Sequence, residues 1–524
     1  MNLLPGGNIE PREYQINLFN SAKDQNTLIV LPTGLGKTII AAMVANYVIR
    51  ERGEKVLFLA PTRPLIHQHF GTLKTLLDLS ENEISEFTGE VGDEDRSASW
   101  VTSKLIVSTP QVALNDLRHG LYDISKFGLI VFDEAHRTTG NYAYVEIAKN
   151  YLEVRKKLIL AITASPGWNK EKLNEVISLL GITNVQIKSD NDPDVKKYFG
   201  GINIETIKLK RSQDEIELSG IIKEISNKIS SRLKEMGILN STKASRSELA
   251  KLIPVLVQKA KEGDKSIFRI IPYLTALIRL DYLSEYLETQ GIEIAYGYLN
   301  EMLDSEEKTI QRTVSILSKF AEFAELRIRM KSLIDEHRTN PKVYMTLRLC
   351  EDQIKKNPES RIIIFTHFRK TSDIVAEYIA KNSKLIKPIR FVGQSSRTSD
   401  QGMSQKIQEE IIEKFKSGIY NVLVATSVAE EGLDIPSTDL VIFYEPVPSE
   451  IRSIQRRGRT GRTHAGSVKI LLNEGTRDIG YYMSSLKKES KMNRNISKMN
   501  DANENEVKTE SKKNRIEKSL DDYF

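Results

Sequence analysis

A glycine-containing loop lies between a short apolar run and a helical segment near the start of the chain. It reads Leu31-Pro32-Thr33-Gly34-Leu35-Gly36-Lys37-Thr38. Backbone N–H groups of such a loop face phosphate oxygens at a helix N-terminus, the lysine reaches the β- and γ-phosphates, and the hydroxyl ligates Mg²⁺. Leu31 stands where the strict motif has glycine, so the strand–loop–helix context supports the prediction more than the motif does. We expect ATP to contact Thr33, Gly34, Leu35, Gly36, Lys37 and Thr38, with Thr38 also a ligand of Mg²⁺.

Two adjacent carboxylates follow the apolar run Leu129–Phe132, in the tetrapeptide Asp133-Glu134-Ala135-His136. A buried strand that ends in carboxylates places them at the carboxyl edge of a parallel sheet, where ligands bind in open α/β folds. Asp133 is then predicted to hold Mg²⁺ through water, and Glu134 to orient and deprotonate the attacking water. An aspartate that only caps a helix is the alternative. The upstream Lys37 favours the catalytic interpretation.

A basic run near the end of the chain has the spacing Q-x-x-G-R-x-x-R, from Gln455 to Arg462. This spacing predicts that Arg459 and Arg462 lie about one helical turn apart and face the same way. Guanidinium groups are permanently charged and planar, which suits them to stabilise charge on a transferred phosphoryl group. We therefore expect Gln455, Arg459 and Arg462 to complete a catalytic site from a second half of the chain, so that hydrolysis depends on closure of a cleft.

The composition is that of an ordinary globular protein. The 524 residues carry a net charge of +6, with 28% charged and 40% hydrophobic residues, which excludes a disordered polyelectrolyte. No apolar stretch approaches the ~20 residues that a membrane span needs, and the start of the chain has no secretory pattern. The one cysteine, Cys350, excludes an intrachain disulfide and an all-cysteine metal cluster. These features predict an intracellular, cytoplasmic protein.

Strand and helix patterns divide the chain into two α/β units with a helical unit between them. Apolar β-branched runs alternate with helical segments between residues 26 and 187 and again after residue 361, which is typical of parallel sheets covered on both faces. The runs of the first unit are Thr27–Leu31, Lys55–Leu59, Leu105–Ser108, Leu129–Phe132 and Lys157–Ile162. From about Asp214 to Lys355 the runs give way to apolar residues spaced three and four apart, which predicts helices over Ile216–Lys234, Ser247–Lys261 and Ile310–Glu336. We predict an α/β fold of two parallel-sheet domains with an inserted all-helical domain, and with these bounds: 1–200, 201–355 for the insert, 356–486, and a disordered tail over 487–524.

Taken together and in order, these motifs resemble those of superfamily 2 helicases. The resemblance runs from about Ile9 to Met492. It implies that the two parallel-sheet domains are RecA-like, and it implies further residue roles. Arg12 and Gln15 resemble an adenine-reading motif, and Gly432 and Asp434 lie in a segment that closes onto the nucleotide. Two further sets resemble motifs that grip a nucleic-acid backbone: Arg63, Gly89, Thr109 and Gln111 in the first unit, and Thr366, Arg369, Gly393 and Thr426 in the second.

Longer segments resemble the archaeal Hef and eukaryotic FANCM branch of that superfamily. These are Asp133–Tyr144, Ala60–His69, and Gly475–Asp478 followed by Tyr481 and Tyr482. The branch also carries a helical insert. The resemblance implies ATP-dependent remodelling of forked or branched DNA during fork repair and recombination, 3′ to 5′ along one strand, at the nucleoid. No nuclease carboxylate cluster follows Arg462, so we expect any cut to be made by a separate structure-specific nuclease.

Basic residues of the insert are candidates for contacts to the phosphates of a duplex arm, although they equally suit the solvated face of an amphipathic helix. They are Lys228, Arg232, Lys234, Lys243, Arg246, Lys259 and Lys261.

Two alternatives to a DNA motor stay open. Helicases of the RIG-I-like and Dicer type, which act on duplex RNA, resemble the same architecture. A non-catalytic scaffold that binds branched DNA is the second alternative, although such a protein has no need to keep Lys37, Glu134 and Arg459.

The chain ends in Glu517-Lys518-Ser519-Leu520-Asp521-Asp522-Tyr523-Phe524. One helical turn would place an aliphatic and two aromatic side chains on one side, an anchor suited to an apolar groove. The segment resembles the box with which partners bind a sliding clamp, with Glu517 where that box prefers glutamine. The predicted clamp-binding residues are Leu520, Tyr523 and Phe524.

Overall fold

The computed structural model describes residues 3–6, 9–89, 92–154, 157–165, 167, 169–189, 192–198, 200–262, 265–338, 340–394, 402–430, 433, 435–461 and 465–495. Several predicted positions lie outside these residues: Gly432, Asp434, Arg462, and all of 496–524 with Leu520, Tyr523 and Phe524.

The first lobe is built on a parallel sheet, which has seven strands within the described residues, in the order β3-β4-β2-β5-β6-β1-β7. Neighbouring residues of the inner strands alternate between two apolar cores, so that Ile29 and Val131 pack on one face while Leu28 and Ile130 pack on the other. The sequence runs predicted five of these strands but not β3 and β7, which are partly exposed. The strands are β1 (Thr27–Val30), β2 (Lys55–Leu59), β3 (Ile84–Phe87), β4 (Leu105–Ser108), β5 (Phe127–Asp133), β6 (Leu158–Thr163) and β7 (Asn184–Ile187).

Helices cover both faces of this sheet, as its two apolar cores require. The first three helices pack on one face, and α5, α6 and α7 pack on the other. The helices are α1 (Glu13–Ala22), α2 (Lys37–Glu51), α3 (Arg63–Leu77), α4 (Asp93–Thr102), α5 (Pro110–Arg118), α6 (Ala143–Leu152), α7 (Lys170–Leu179) and α8 (Pro193–Lys196).

The second lobe contains another parallel sheet, in which the described residues form six strands in the order β10-β11-β9-β12-β13-β8. The strand β8 pairs with β13 over eight residues, so the segment that was predicted to open the insert belongs to this sheet instead. The strands are β8 (Ile202–Leu209), β9 (Ile362–Phe365), β10 (Pro388–Phe391), β11 (Val422–Ala425), β12 (Leu440–Phe443) and β13 (Gly466–Asn473).

The insert between β8 and the rest of the second lobe is all helical among its described residues. Its helices share one apolar core, with Leu218, Leu280 and Leu326 fully buried. The single helix predicted over Ile310–Glu336 is in fact two helices, because the chain turns at 318–320. The helices are α9 (Gln213–Glu235), α10 (Arg246–Lys261), α11 (Ile271–Thr289), α12 (Ile292–Leu303), α13 (Lys308–Leu317) and α14 (Ala321–Asp335).

The insert was predicted to end at residue 355, but its last helix ends at Asp335. The next helix packs Val343, Leu347 and Cys350 against the second sheet, so it belongs to the second lobe. This lobe has the helices α15 (Pro341–Lys356), α16 (Arg369–Asn382), α17 (Gln405–Lys416) and α18 (Glu450–Arg457). Short 3₁₀ turns occupy Ile124–Lys126, Ala135–Arg137, Lys265–Arg269 and Ser427–Ala429.

A further helix spans 477–495 and overlaps the predicted disordered tail. The prediction of disorder is therefore wrong for 487–495. The reason is a pair of contacts that composition does not reveal: Arg457 pairs with Glu489 at 2.6 Å, and the buried Met492 accepts a hydrogen bond from Ser165 of the first lobe at 3.0 Å. The helix therefore reaches from the second lobe back to the first.

Candidate nucleotide site and nucleic-acid interface

The phosphate loop joins β1 to the N-terminus of α2, as its sequence predicted. Gly34 and Gly36 have φ values of 82° and 81°, a left-handed conformation that favours glycine. The Leu35 carbonyl accepts hydrogen bonds from Tyr14 at 2.6 Å and from Gln15 at 3.1 Å. Lys37 Nζ donates to the Leu31 carbonyl at 3.1 Å, a bond that a phosphate oxygen can replace.

Gln15 contacts the phosphate loop directly, and Arg12 contacts Gln15. Gln15 Oε1 accepts from the Arg12 N–H at 2.9 Å while its amide nitrogen donates to Leu35, so both ends of the side-chain amide are engaged. The Arg12 guanidinium lies 4.6 Å from the ring centroid of Tyr198. Neither residue lines the nucleotide cavity, and adenine recognition by them stays a prediction.

Asp133 is the last residue of β5 and is buried. Its Oδ2 lies 2.8 Å from His69 Nε2, and its Oδ1 accepts the Glu134 N–H at 2.9 Å. Asp133 and Thr38 line the same cavity, and the described residues hold no group of three or more acidic, histidine or cysteine ligands. One hydroxyl and one carboxylate suit a Mg²⁺ ion that takes its other ligands from nucleotide phosphates and water.

Glu134 has a left-handed backbone (φ 48°, ψ 49°), which is uncommon for a residue other than glycine. Its Oε2 lies 3.3 Å from His136 Nδ1, which is also 3.0 Å from the Thr163 hydroxyl. Burial raises the pKa of Glu134, but the hydrogen bond from His136 and the charges of His136, Lys37 and Arg137 outweigh it and hold the pKa at about 2. The carboxylate is therefore ionised at neutral pH.

The two lobes meet across a cavity of about 300 Å³. Lys37, Thr38, Asp133 and Glu134 line it from the first lobe, and Gln455, Gly458 and Arg459 from the second. The approach is tight, because a Cβ at Gly458 would overlap the side-chain oxygen of Thr33. This arrangement places the predicted phosphate loop and the second-lobe residues on the same cavity.

The spacing predicted that Arg459 lies on a helix. This prediction is wrong, because α18 ends at Arg457. Its Nη1 donates to the Leu433 carbonyl at 2.9 Å and its Nη2 to the Glu430 carbonyl at 2.8 Å. The guanidinium therefore borders the cavity while contacting its own lobe.

Glu430 is a site residue that the sequence analysis missed. Its carboxylate accepts two bonds of 2.8 Å from Arg452 and one of 2.8 Å from the fully buried Arg456. Glu430 also lines the nucleotide cavity, as does His69. A single acidic residue before the segment Glu431–Asp434 does not indicate a site residue by itself. The available signal was its partner Arg456, which lies in the basic run from Gln455 to Arg462.

The predicted nucleic-acid contacts lie at the carboxyl edges of both sheets. Gly89 follows β3, and a Cβ there would lie 3.1 Å from Arg63 Nη2 at the start of α3. Thr109 and Gln111 follow β4, with Thr109 at the N-cap position of α5. These four residues therefore share one edge of the first sheet.

In the second lobe the equivalent residues follow β9, β10 and β11. Arg369 Nη2 donates to the Gly393 carbonyl at 3.1 Å. Thr366 is fully buried and its hydroxyl donates to the Phe368 carbonyl at 3.3 Å, so it shapes the loop from inside. Thr426 precedes the 3₁₀ turn after β11 and is also buried.

Comparison with known proteins agrees with this geometry. Residues 8–167 match the family of the type III restriction enzyme res subunit, and residues 345–464 match the helicase conserved C-terminal domain. The crystal structure of the Pyrococcus furiosus Hef helicase domain is similar with a TM-score of 0.69 and 39% identity, covering 91% of this chain and 98% of that chain. This chain belongs to the Hef/FANCM family of superfamily 2 helicases. Membership confirms the predicted fold of two parallel-sheet lobes with a helical insert.

Three curated relatives are longer than the chain. A Methanocaldococcus jannaschii protein, assigned by name as an ATP-dependent RNA helicase, is 37% identical over 94% of this chain and 61% of its own length. An ATP-dependent DNA helicase of Coccidioides immitis is 32% identical over 90% of this chain and 44% of its own length. FANCM of Arabidopsis thaliana, named a DEAD-box ATP-dependent RNA helicase, is 33% identical over 91% of this chain and 36% of its own length. The chain thus spans about a third to three fifths of these relatives. Among its described residues, no helix has the length and apolar character to cross a bilayer.

Proposed function

We propose that this Hef/FANCM-type helicase hydrolyses ATP to translocate 3′ to 5′ along one DNA strand and to remodel forked or branched DNA. The observation that carries the proposal is the cavity at which Lys37 and Glu134 of one lobe face Gln455 and Arg459 of the other. The name of the Coccidioides relative supports DNA as the substrate.

The phosphate loop binds the triphosphate, with Lys37 exchanging the Leu31 carbonyl for a phosphate oxygen. Thr38 and Asp133 would hold Mg²⁺, which supplies charge neutralisation for the phosphates when bound. Glu134 accepts a hydrogen bond from the attacking water. The positive charges around Glu134 lower its pKa and keep the side chain ionised, so it can orient that water and accept its proton as the new bond to phosphorus forms.

Arg459 brings positive charge to the transferred phosphoryl group by exchanging its bonds to Leu433 and Glu430. Arg462 is proposed to act beside it. Because this charge comes from the second lobe, hydrolysis is fastest when the lobes are closed, and its completion loosens them. Alternate closing and opening on residues that grip a strand then moves the lobes along it.

ATP hydrolysis by wild type and Lys37→Ala tests the proposal. We expect forked DNA to stimulate wild-type hydrolysis at least about tenfold and the variant to lose about 10² or more of the stimulated rate, because the lysine binds the phosphates. Equal rates of hydrolysis in the two proteins would refute the proposal and favour a non-catalytic scaffold. Unwinding of 3′-tailed but not 5′-tailed duplexes would support the direction of movement, and the reverse preference would refute it.

A duplex-RNA helicase is the second candidate, favoured by the names of the Methanocaldococcus and Arabidopsis relatives. Forked DNA and duplex RNA can be compared as competitors for stimulation of hydrolysis. Stronger stimulation by RNA would replace DNA as the proposed substrate.

Partners are also proposed from the family resemblance. The segment with Leu520, Tyr523 and Phe524 would bind a sliding clamp, and a separate structure-specific nuclease would cut the remodelled DNA. Association with the nucleoid follows from the same proposal.

A further inference from the structure

Three tyrosine rings line a cleft on the insert that the proposed ATP cycle does not use. Tyr282 and Tyr286 extend from α11 and Tyr298 extends from α12. The ring centroids are 5.0 Å apart for Tyr286 and Tyr298 and 6.2 Å apart for Tyr282 and Tyr286. The three rings, together with Arg279, are termed the tyrosine cleft. Its volume is about 280 Å³.

The polar lining of the tyrosine cleft is cationic and hydroxylic. Arg279 Nη1 donates to the Tyr298 hydroxyl at 3.3 Å, and the Thr275 and Thr313 hydroxyls lie 2.7 Å apart. No carboxylate is among the described residues that line it. Such a surface attracts phosphates and repels neither a base nor a sugar.

Aromatic contact continues from the cleft into the second lobe. Phe368 meets Tyr286 edge to face, with centroids 5.1 Å apart and an interplanar angle of 84°. Phe368 directly precedes Arg369, which is among the predicted strand contacts. Lys370 reaches across to lie against Gly297 of α12, at a place where a Cβ would overlap it. The cleft therefore adjoins the proposed path of the strand.

The tyrosine rings are only partly buried, unlike Tyr14 and Tyr144, which are fully buried in the first lobe. Arg246 lies 3.8 Å from the ring centroid of Tyr282 and also lines the neighbouring cavity, where ion pairs hold it to Asp281 and Glu285. Burial raises the pKa of Tyr286 and of Tyr298. Their hydroxyls therefore stay neutral, and no tyrosinate charge opposes a phosphate.

We propose that the tyrosine cleft binds unpaired DNA bases by stacking, as the strand passes from the second lobe onto the insert. Stacking on aromatic rings tolerates any base, because every base has a π-face. Bases inside a duplex are already stacked and cannot enter, so the cleft selects single-stranded DNA next to a branch point. This inference rests on the proposed DNA function and assigns to the insert a single-strand site in addition to any duplex contact.

Binding of a fluorescent oligothymidylate and of a blunt duplex, measured by anisotropy at one fixed salt concentration, tests the inference. We expect Tyr298→Leu to weaken single-strand binding at least about fivefold and to change duplex binding less than twofold. Tyr298→Phe keeps the ring and should bind like wild type. Tyr273→Leu is the matched control, since Tyr273 is also a partly buried tyrosine of α11 beside a guanidinium (Arg232, 5.2 Å) but lies outside the cleft.

Three results would overturn the inference while forked-DNA-stimulated hydrolysis stands: unchanged single-strand binding in Tyr298→Leu, an equal loss in Tyr298→Phe, or an equal loss in Tyr273→Leu. If no DNA stimulates hydrolysis by the wild-type protein, the proposed function fails and the inference fails with it. A strand carrying 5-iodouracil, irradiated on the wild-type chain, gives a readout that does not depend on a variant folding. Adducts on Tyr282, Tyr286 or Tyr298 support the inference, and adducts confined to other residues refute it.

Discussion

Glu134 occupies a backbone conformation that a non-glycine residue rarely adopts, directly after the strand that ends in Asp133. The conformation costs about 1–2 kcal/mol, which the buried bonds around Tyr144 help to offset: its hydroxyl donates to the Asp133 carbonyl at 2.8 Å and lies 3.1 Å from the Leu59 carbonyl. Strain held at a polar cavity is typical of a residue positioned for chemistry. The sequence predicted the carboxylate pair but not its geometry, because adjacency along the chain does not specify φ.

Glu134→Gln should keep ATP binding and lose about 10²–10⁴ of the hydrolysis rate, because glutamine fills the same space without the charge that orients water. Equilibrium binding of a fluorescent ATP analogue and steady-state hydrolysis measure the two effects. Glu146→Gln is the control, since that carboxylate pairs with Arg118 on the surface and should hydrolyse ATP like wild type. Normal turnover in Glu134→Gln would show that another group orients the water.

Among the elements, α15 was assigned to the wrong domain by its sequence. Its apolar spacing is that of any amphipathic helix, so it was assigned to the insert, whereas its buried residues pack on the second sheet. The inner strands were predictable because continuous apolar runs leave few alternatives. The edge strands β3 and β7, the division of 310–336 into two helices, and the helix over 477–495 depend on distant partners that no local pattern reveals. The basic insert residues show the same limit, since Lys228 and Arg246 form ion pairs within the insert.

One ion pair joins α15, α11 and the helix over 477–495. Lys342 donates to Asp478 at 2.6 Å and to the Thr289 carbonyl at 3.0 Å, and both charged side chains are fully buried. Lys342→Met leaves Asp478 buried without its partner and should lower the free energy of unfolding by about 3–5 kcal/mol.

Chemical denaturation measures this loss against Lys355→Met. Lys355 pairs with Glu351 at 3.6 Å on the surface of the same helix, and its replacement should cost less than about 1 kcal/mol. Equal losses from the two replacements would mean that the buried pair does not stabilise the junction of insert and second lobe.

Across the whole chain, the two lobes bring part of the predicted site together over more than 400 positions of sequence. The residues that line the shared cavity include Lys37, Thr38, Asp133, Glu134, Gln455 and Arg459. The order of the motifs predicted that meeting, since the phosphate loop and the carboxylate pair lie in one α/β unit and the arginine motif lies in the other. They could not predict how closely the lobes pack. That closeness depends on Gly458, which has no side chain where it faces Thr33.

Gly458→Ala should hold the lobes apart and lower DNA-stimulated hydrolysis at least about tenfold, with little change in the melting temperature, because each lobe keeps its own core. Gly480→Ala is the control, since a Cβ there meets nothing within 4 Å. Wild-type hydrolysis in Gly458→Ala would show that turnover does not require this contact.

The helix over 477–495 also limits how the molecule can move. It is continuous with the second lobe, yet Met492 touches Ser165 of the first lobe, two residues beyond the hydroxyl that contacts His136. Widening of the cleft between the lobes would break this hydrogen bond, so in the proposed ATP cycle a contact remote from the bound nucleotide opposes the opening of the lobes.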